Sequence, residues 1–239
     1  MDERHPTESA LEYLAMIDLA TWNLSIPVGI PAATIETPLL VGGYQDHYFK
    51  SDSDSIFFWA PVNGTTTDNA SYPRSELRET HADGSLRNWQ YPDADNSLSA
   101  ALQVTQVPST GKIVIGQIHA KYSTSPLLKL EYQYKAWRGD GNIVAKVRIN
   151  PDDISGQVIT IASGVPLNQR FTYYIHLTPN GTLSISSYGS NWKSRINSDW
   201  SVKPLYFKAG VYTQDNTGYE TEAGSATFYK LKIEHSPLL

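Results

Sequence analysis

The sequence predicts an all-β protein, an antiparallel β-sandwich or jelly roll with one short N-terminal helix. Two observations carry this expectation. After about residue 20, apolar and polar residues alternate in short runs bounded by Gly, Pro, Asn and Asp, the period-2 signature of strands with one buried face. No long stretch of helical period separates those runs, and a parallel α/β sheet needs crossover helices between its strands.

Each element follows from its local pattern. Thr7-Glu8 followed by Leu11, Leu14 and Ala15 at helical spacing predicts the helix. Strands are then expected at Thr21 to Ile26, His47 to Lys50 and Ile56 to Ala60, the last closed by the turn Pro61-Val-Asn-Gly64. Arg74 to Thr80 runs into Ala82-Asp-Gly84, and Ser97 to Gln106 and Ile113 to Lys121 follow. Leu127 to Trp137 and Ile143 to Ile149 flank Arg138-Gly-Asp-Gly141, and Val158 to Ala162 comes next. Phe171 to Leu177 and Thr182 to Ser187 are joined through Asn180-Gly181, a pair that adopts the left-handed turn geometry hairpins favour. Leu205 to Thr213 and Ala226 to His235 complete the set. With no repeat, low-complexity tract or linker, residues 1–239 read as one domain.

Bulk properties narrow the function. A chain of 239 residues with 40% hydrophobic content can bury one sizeable core, and all-β domains often reach this size. The net charge of −5 argues against wholesale binding to nucleic acid or to an anionic membrane. Cysteine is absent, which removes disulfides and thiolate metal sites. No apolar run approaches the roughly 20 residues of a membrane span, and Met1-Asp-Glu-Arg-His-Pro does not open like a signal peptide. A soluble monomer is expected, either cytoplasmic or the processed form of an exported protein.

Three distant segments concentrate polar chemistry: Tyr72-Pro-Arg-Ser-Glu-Leu-Arg-Glu79, Gly116-Gln-Ile-His-Ala-Lys121 and Tyr206-Phe-Lys-Ala-Gly-Val-Tyr-Thr-Gln214. Strand alternation groups Arg74, Glu76 and Arg78 on one face, then Gln117 with His119, then Tyr206, Lys208 and Tyr212. The two arginines offer planar forks suited to carboxylates, and Glu76 is expected to neutralise and orient both. An amide and an imidazole side by side can hold a carboxylate and remove a proton. A tyrosine beside such cations is expected to have a lowered pKa. The plainer alternative for Arg74 to Glu79 is a charged edge strand that resists aggregation. If the three segments lie side by side, they form a cationic surface on an acidic protein, suited to an anionic ligand.

These blocks, in this order, resemble those of alginate lyases of polysaccharide lyase family 7. Trp22-Asn-Leu-Ser-Ile-Pro27 and Ala60-Pro-Val-Asn-Gly64 match as well, and the likeness runs from about Asp18 to His235. The resemblance implies a jelly roll with a concave substrate-binding cleft for alginate, a polymer of mannuronate and guluronate, cleaved by β-elimination with no metal and no other cofactor. It assigns Arg74, Gln117 and His119 to the carboxylate of the reacting uronate and Tyr212 to proton donation at the leaving oxygen. His119 is implied as base for guluronate and Tyr212 for mannuronate, with Arg78, Lys208 and Tyr206 binding substrate. The Gln-Ile-His form of the middle block implies guluronate-containing or mixed blocks, and an open cleft implies endolytic action.

Three rivals compete. A carbohydrate-binding module needs no paired His119 and Tyr212. A jelly-roll hydrolase needs two carboxylates flanking the scissile bond, whereas Glu76 and Glu79 fall on opposite strand faces. A lyase for another polyuronate, such as glucuronan, has the same chemical requirements. The loops Gly64 to Tyr72 and Tyr122 to Pro126 are candidate lids. The acidic loops Ser51 to Ser55 and Pro92 to Asn96 read as solvated turns, not calcium loops.

Overall fold

The structure, a computed structural model, describes residues 17–238, so the helix expected at Thr7 to Ala15 lies outside the described residues. In chain order the first elements are β1 (Trp22–Ser25), β2 (Thr34–Ile35), a short helix α1 (Thr37–Val41), β3 (Phe49–Ser51), β4 (Ile56–Pro61) and β5 (Arg74–Glu79). The middle of the chain supplies β6 (Ala94–Gln106), β7 (Lys112–Ala120), β8 (Leu128–Lys135), β9 (Asp140–Val147) and β10 (Gln157–Val165). Then come β11 (Phe171–Leu177), β12 (Thr182–Ser187), β13 (Ser190–Arg195), β14 (Leu205–Thr213) and β15 (Ala223–Pro237).

The strands form two antiparallel sheets. The eight-stranded one runs β10-β9-β8-β7-β14-β5-β1-β2, and the seven-stranded one runs β13-β12-β11-β6-β15-β4-β3. This is the β-sandwich jelly roll. The alternation read from the sequence supplies its core: Leu205, Phe207, Ala209 and Val211 of β14 are fully buried against the second sheet, while their polar neighbours point the other way. Facing them from the second sheet come Phe58, Phe228, Leu102 and Ile175, each adding about 2 kcal/mol of burial.

Short elements escaped the sequence reading. The edge strand β13 is Ser-Asn-Trp-Lys-Ser-Arg, mostly exposed, and carries too little apolar contrast to announce itself. Both β2 and α1 are held by their neighbours: Ile35 pairs with Leu24, and Thr37 Oγ1 donates to the Trp22 carbonyl at 2.8 Å. The Ser51 to Ser55 loop is a turn, as expected, with Asp52 accepting from the backbone N–H groups of Asp54 and Ser55 at 3.0 and 2.9 Å. No described helix is long and apolar enough to cross a membrane.

Candidate active site

Three strands far apart in sequence are neighbours in space, because β14 lies between β7 and β5. Their register aligns the three polar segments. Tyr206 stands opposite His119, Lys208 opposite both Gln117 and Arg78, and Tyr212 opposite Arg74. Directly opposed residues share a sheet face, so all seven candidate residues meet on the face turned away from the core. The charged edge-strand alternative fails here, since β5 is an interior strand with Arg74 and Glu76 buried.

Glu76 is the electrostatic centre. It is fully buried and accepts from Arg74 Nη1 at 2.8 Å, Lys208 Nζ at 2.7 Å and Gln117 Nε2 at 2.8 Å. Burial opposes its charge, but Lys208 and Arg74 together outweigh this and hold the carboxyl below its usual range. One expectation needs correction, because Glu76 does not hold Arg78. The Arg78 guanidinium donates instead to the carbonyls of Glu79 and Arg87 and to Asn88 Oδ1. It also lies 3.8 Å from the centroid of the Tyr206 ring. Strand twist and the chain segment Arg87 to Trp89, which pairs with Leu205, draw it away.

Lys208 is only 7% exposed, and burial plus the nearby Arg74 push it down to about 8. His119 stacks on Tyr206 with ring centroids 5.4 Å apart. Its Nδ1 lies 3.0 Å from the Ala120 carbonyl and 2.9 Å from the Ala120 N–H, contacts that suit either neutral tautomer. Burial and Lys208 lower its pKa to about 4, so the imidazole is neutral at neutral pH. The expected lowering of the tyrosines is reversed. Burial raises both Tyr206 and Tyr212, even though the Arg74 guanidinium sits 3.8 Å from the Tyr212 ring centroid and pulls in the other direction. Tyr212 therefore carries its proton at neutral pH, the state of an acid.

A cavity of about 260 Å³ is lined by Arg74, Gln117, His119, Tyr206, Lys208 and Tyr212. Both candidate lids contribute to it, through Thr67 to Ala70 on one side and Ser123, Thr124 and Pro126 on the other. Asn69 and Tyr122 adopt left-handed φ of 59° and 61°, which turn these loops sharply beside the cleft. Arg148 pins the second loop by donating to the Pro126 carbonyl at 3.0 Å. Sequence reasoning missed Lys129, which also lines the cavity. The signal was present in Leu128-Lys-Leu-Glu-Tyr-Gln-Tyr-Lys135, whose polar members alternate strictly with apolar ones.

Beneath the site, Glu79 ties the two sheets. Its Oε2 accepts from Trp89 Nε1 at 2.8 Å and from the backbone N–H of Phe207 at 2.9 Å. Its Oε1 meets His235 of β15, whose other ring nitrogen lies 2.7 Å from Asn96 Oδ1. The backbone between Tyr206 and Lys208 is thus held from below by a buried carboxylate.

The profile of the alginate lyase family matches residues 17–235. The chain belongs to that family. A solved alginate lyase from Pseudomonas aeruginosa is 46% identical, with a TM-score of 0.88 over 92% of this chain and 100% of that one. Alginate lyase A1-II′, a member of polysaccharide lyase family 7, is 33% identical with a TM-score of 0.81, covering 93% of this chain and 97% of its own. A variant of A1-II′ has been solved in complex with the substrate GGMG. The alginate lyase of Klebsiella pneumoniae is 29% identical over 91% of this chain and 89% of that protein. The family's fold is the sandwich described above, and the chain is a polysaccharide lyase.

Proposed function

We propose that this lyase, itself a monomer, depolymerises alginate by endolytic β-elimination and prefers guluronate-containing or mixed blocks. One observation carries the reading: a neutral imidazole and a protonated phenol line a single cavity with two buried cations held by one carboxylate. The anionic polymer meets fixed positive charge, and an acid and a base are both at hand.

Arg74 and Gln117 hold the carboxylate at C5. Glu76 orients both by accepting from Arg74 Nη1 and Gln117 Nε2. Withdrawing charge from the carboxylate acidifies the C5 proton, because preorganised donors stabilise the negative charge that develops there. On guluronate, His119 removes that proton, the C5–H electrons form the C4=C5 bond, and the C4–O4 bond breaks. Tyr212 protonates the departing oxygen, which becomes a new reducing end. On mannuronate, where the proton and leaving group share a face, Tyr212 serves both steps, giving its own proton to O4 as it takes the one from C5, and so ends protonated as it began. Arg78, Lys208 and Tyr206 hold the adjoining sugars.

The test is ultraviolet absorbance over time with polyguluronate, polymannuronate and mixed-block alginates, with and without chelator. A rising signal from the conjugated unsaturated uronate, unaffected by chelator and strongest on guluronate-containing blocks, is expected. New reducing ends without that signal would exclude elimination.

A further inference from the structure

The cationic row does not stop at the residues just assigned. Register continues it across five consecutive strands: Arg78 on β5, Lys208 on β14, Gln117 on β7, Lys129 on β8 and Lys146 on β9 stand directly opposite one another in turn. Neighbouring strands lie about 4.8 Å apart, so the row crosses roughly 19 Å of the face. Most of its charges are already satisfied. Lys208 has Glu76 at 2.7 Å, and Arg78 has two carbonyls and Asn88. Lys146 has the buried Glu131 at 2.8 Å, whose other oxygen accepts from Gln133 at 2.7 Å.

Lys129 differs. It is half-buried, lines the cleft and has neither an ion-pair partner nor a side-chain hydrogen bond among the described residues. Burial presses its pKa down; Glu131 opposes this, and Lys146, Arg148 and Arg74 add to the lowering. A partly desolvated cation among other cations costs stability unless an anion completes it. The nearby Glu131 is paired with Lys146 and makes no direct contact with Lys129, whereas a polyuronate brings one carboxylate per sugar.

We infer that Lys129 is a substrate-binding residue that takes the carboxylate of a uronate beyond the reacting one, on the β8 side of Gln117. Glu131 is its positioning partner, keeping Lys146 neutralised so that Lys129 remains the open charge. The cleft then grips the chain on both sides of the scission point, with Arg78 and Lys208 towards β5 and Lys129 towards β8. This inference rests on the proposed activity and adds a subsite to it.

The test compares wild type with Lys129→Met, Lys129→Gln and Lys129→Arg. For Lys129→Met and Lys129→Gln, KM on alginate is expected to rise about tenfold while kcat changes less than about twofold, the pattern of a lost binding charge. Lys129→Arg should recover most of the loss. The melting temperature of ligand-free Lys129→Met should hold or rise, since an unneutralised cation has been removed. An unchanged KM in Lys129→Gln, or a melting temperature several degrees lower in Lys129→Met, overturns the inference. The absorbance assay on wild type separates the two levels: no unsaturated product from wild type refutes the proposed activity, whereas normal wild-type turnover with normal KM in the variants refutes only the subsite.

Discussion

Glu76, Lys208 and Tyr212 show how single residues divide the work. Glu76 has three donors and no exposure, so Glu76→Gln strands two buried cations and should cost about 3–5 kcal/mol of stability, read by denaturant unfolding. Tyr212→Phe removes only a hydroxyl and should lower kcat about 10³-fold with polymer binding retained. Retained turnover would assign the acid elsewhere. His119→Asn should harm guluronate cleavage more than mannuronate cleavage. The pH profile follows from the shifts. His119 must be neutral to act as base, so kcat/KM should rise through about 4, and Lys208 must be charged to hold a uronate, so it should fall through about 8. Lys208→Arg keeps its charge at alkaline pH and should move the upper limb upward; an unmoved limb would place that titration on another group.

At the scale of elements, β14 is positioned by packing on three sides. Register to β5 and β7 sets which side chains face the cleft, and Glu79 fixes its height above the core through the Phe207 N–H. Gly210, at φ 139°, gives the strand the room it needs: a Cβ there would meet the Ser75 carbonyl at 2.8 Å and Glu76 Cα at 2.9 Å. Glu79→Ala leaves the Trp89 indole, the Phe207 amide and His235 without their shared acceptor, each with a desolvation cost. We expect a large loss of thermal stability and a higher KM. Glu79→Gln keeps an oxygen for the first two donors and offers an amide to His235, so it should recover most of both. Equal damage from the two variants would show that the charge, not the tether, matters.

At the scale of the molecule, the eight-stranded sheet presents its outward face as a cleft bordered by the Thr67 to Ala70 and Ser123 to Pro126 segments. The proposed endolytic action cuts chain interiors, so viscosity of an alginate solution should fall well before short products accumulate; release of short products at unchanged viscosity would instead indicate exolytic action. Much of this was legible beforehand. Strand alternation identified the sandwich, and Phe171 to Leu177, Thr182 to Ser187 and Leu205 to Thr213 match the observed bounds, because one face of each meets the core and the other does not. The three polar blocks were legible for the same reason. Charge partners were not, since they depend on the order β7-β14-β5 and on register shifts at Val114/Gly116 and Ala209/Tyr212, which no local pattern encodes. Lys129 joined the cleft only through its place opposite Gln117, and the tyrosines rose in pKa because burial outweighed the cations beside them. The sequence by itself determined which residues form strands and which side chains leave the core, because both follow from local period and polarity. Only the tertiary structure decided which charges pair, which stay open and which protons are held, because those depend on distance and desolvation between strands far apart in the chain.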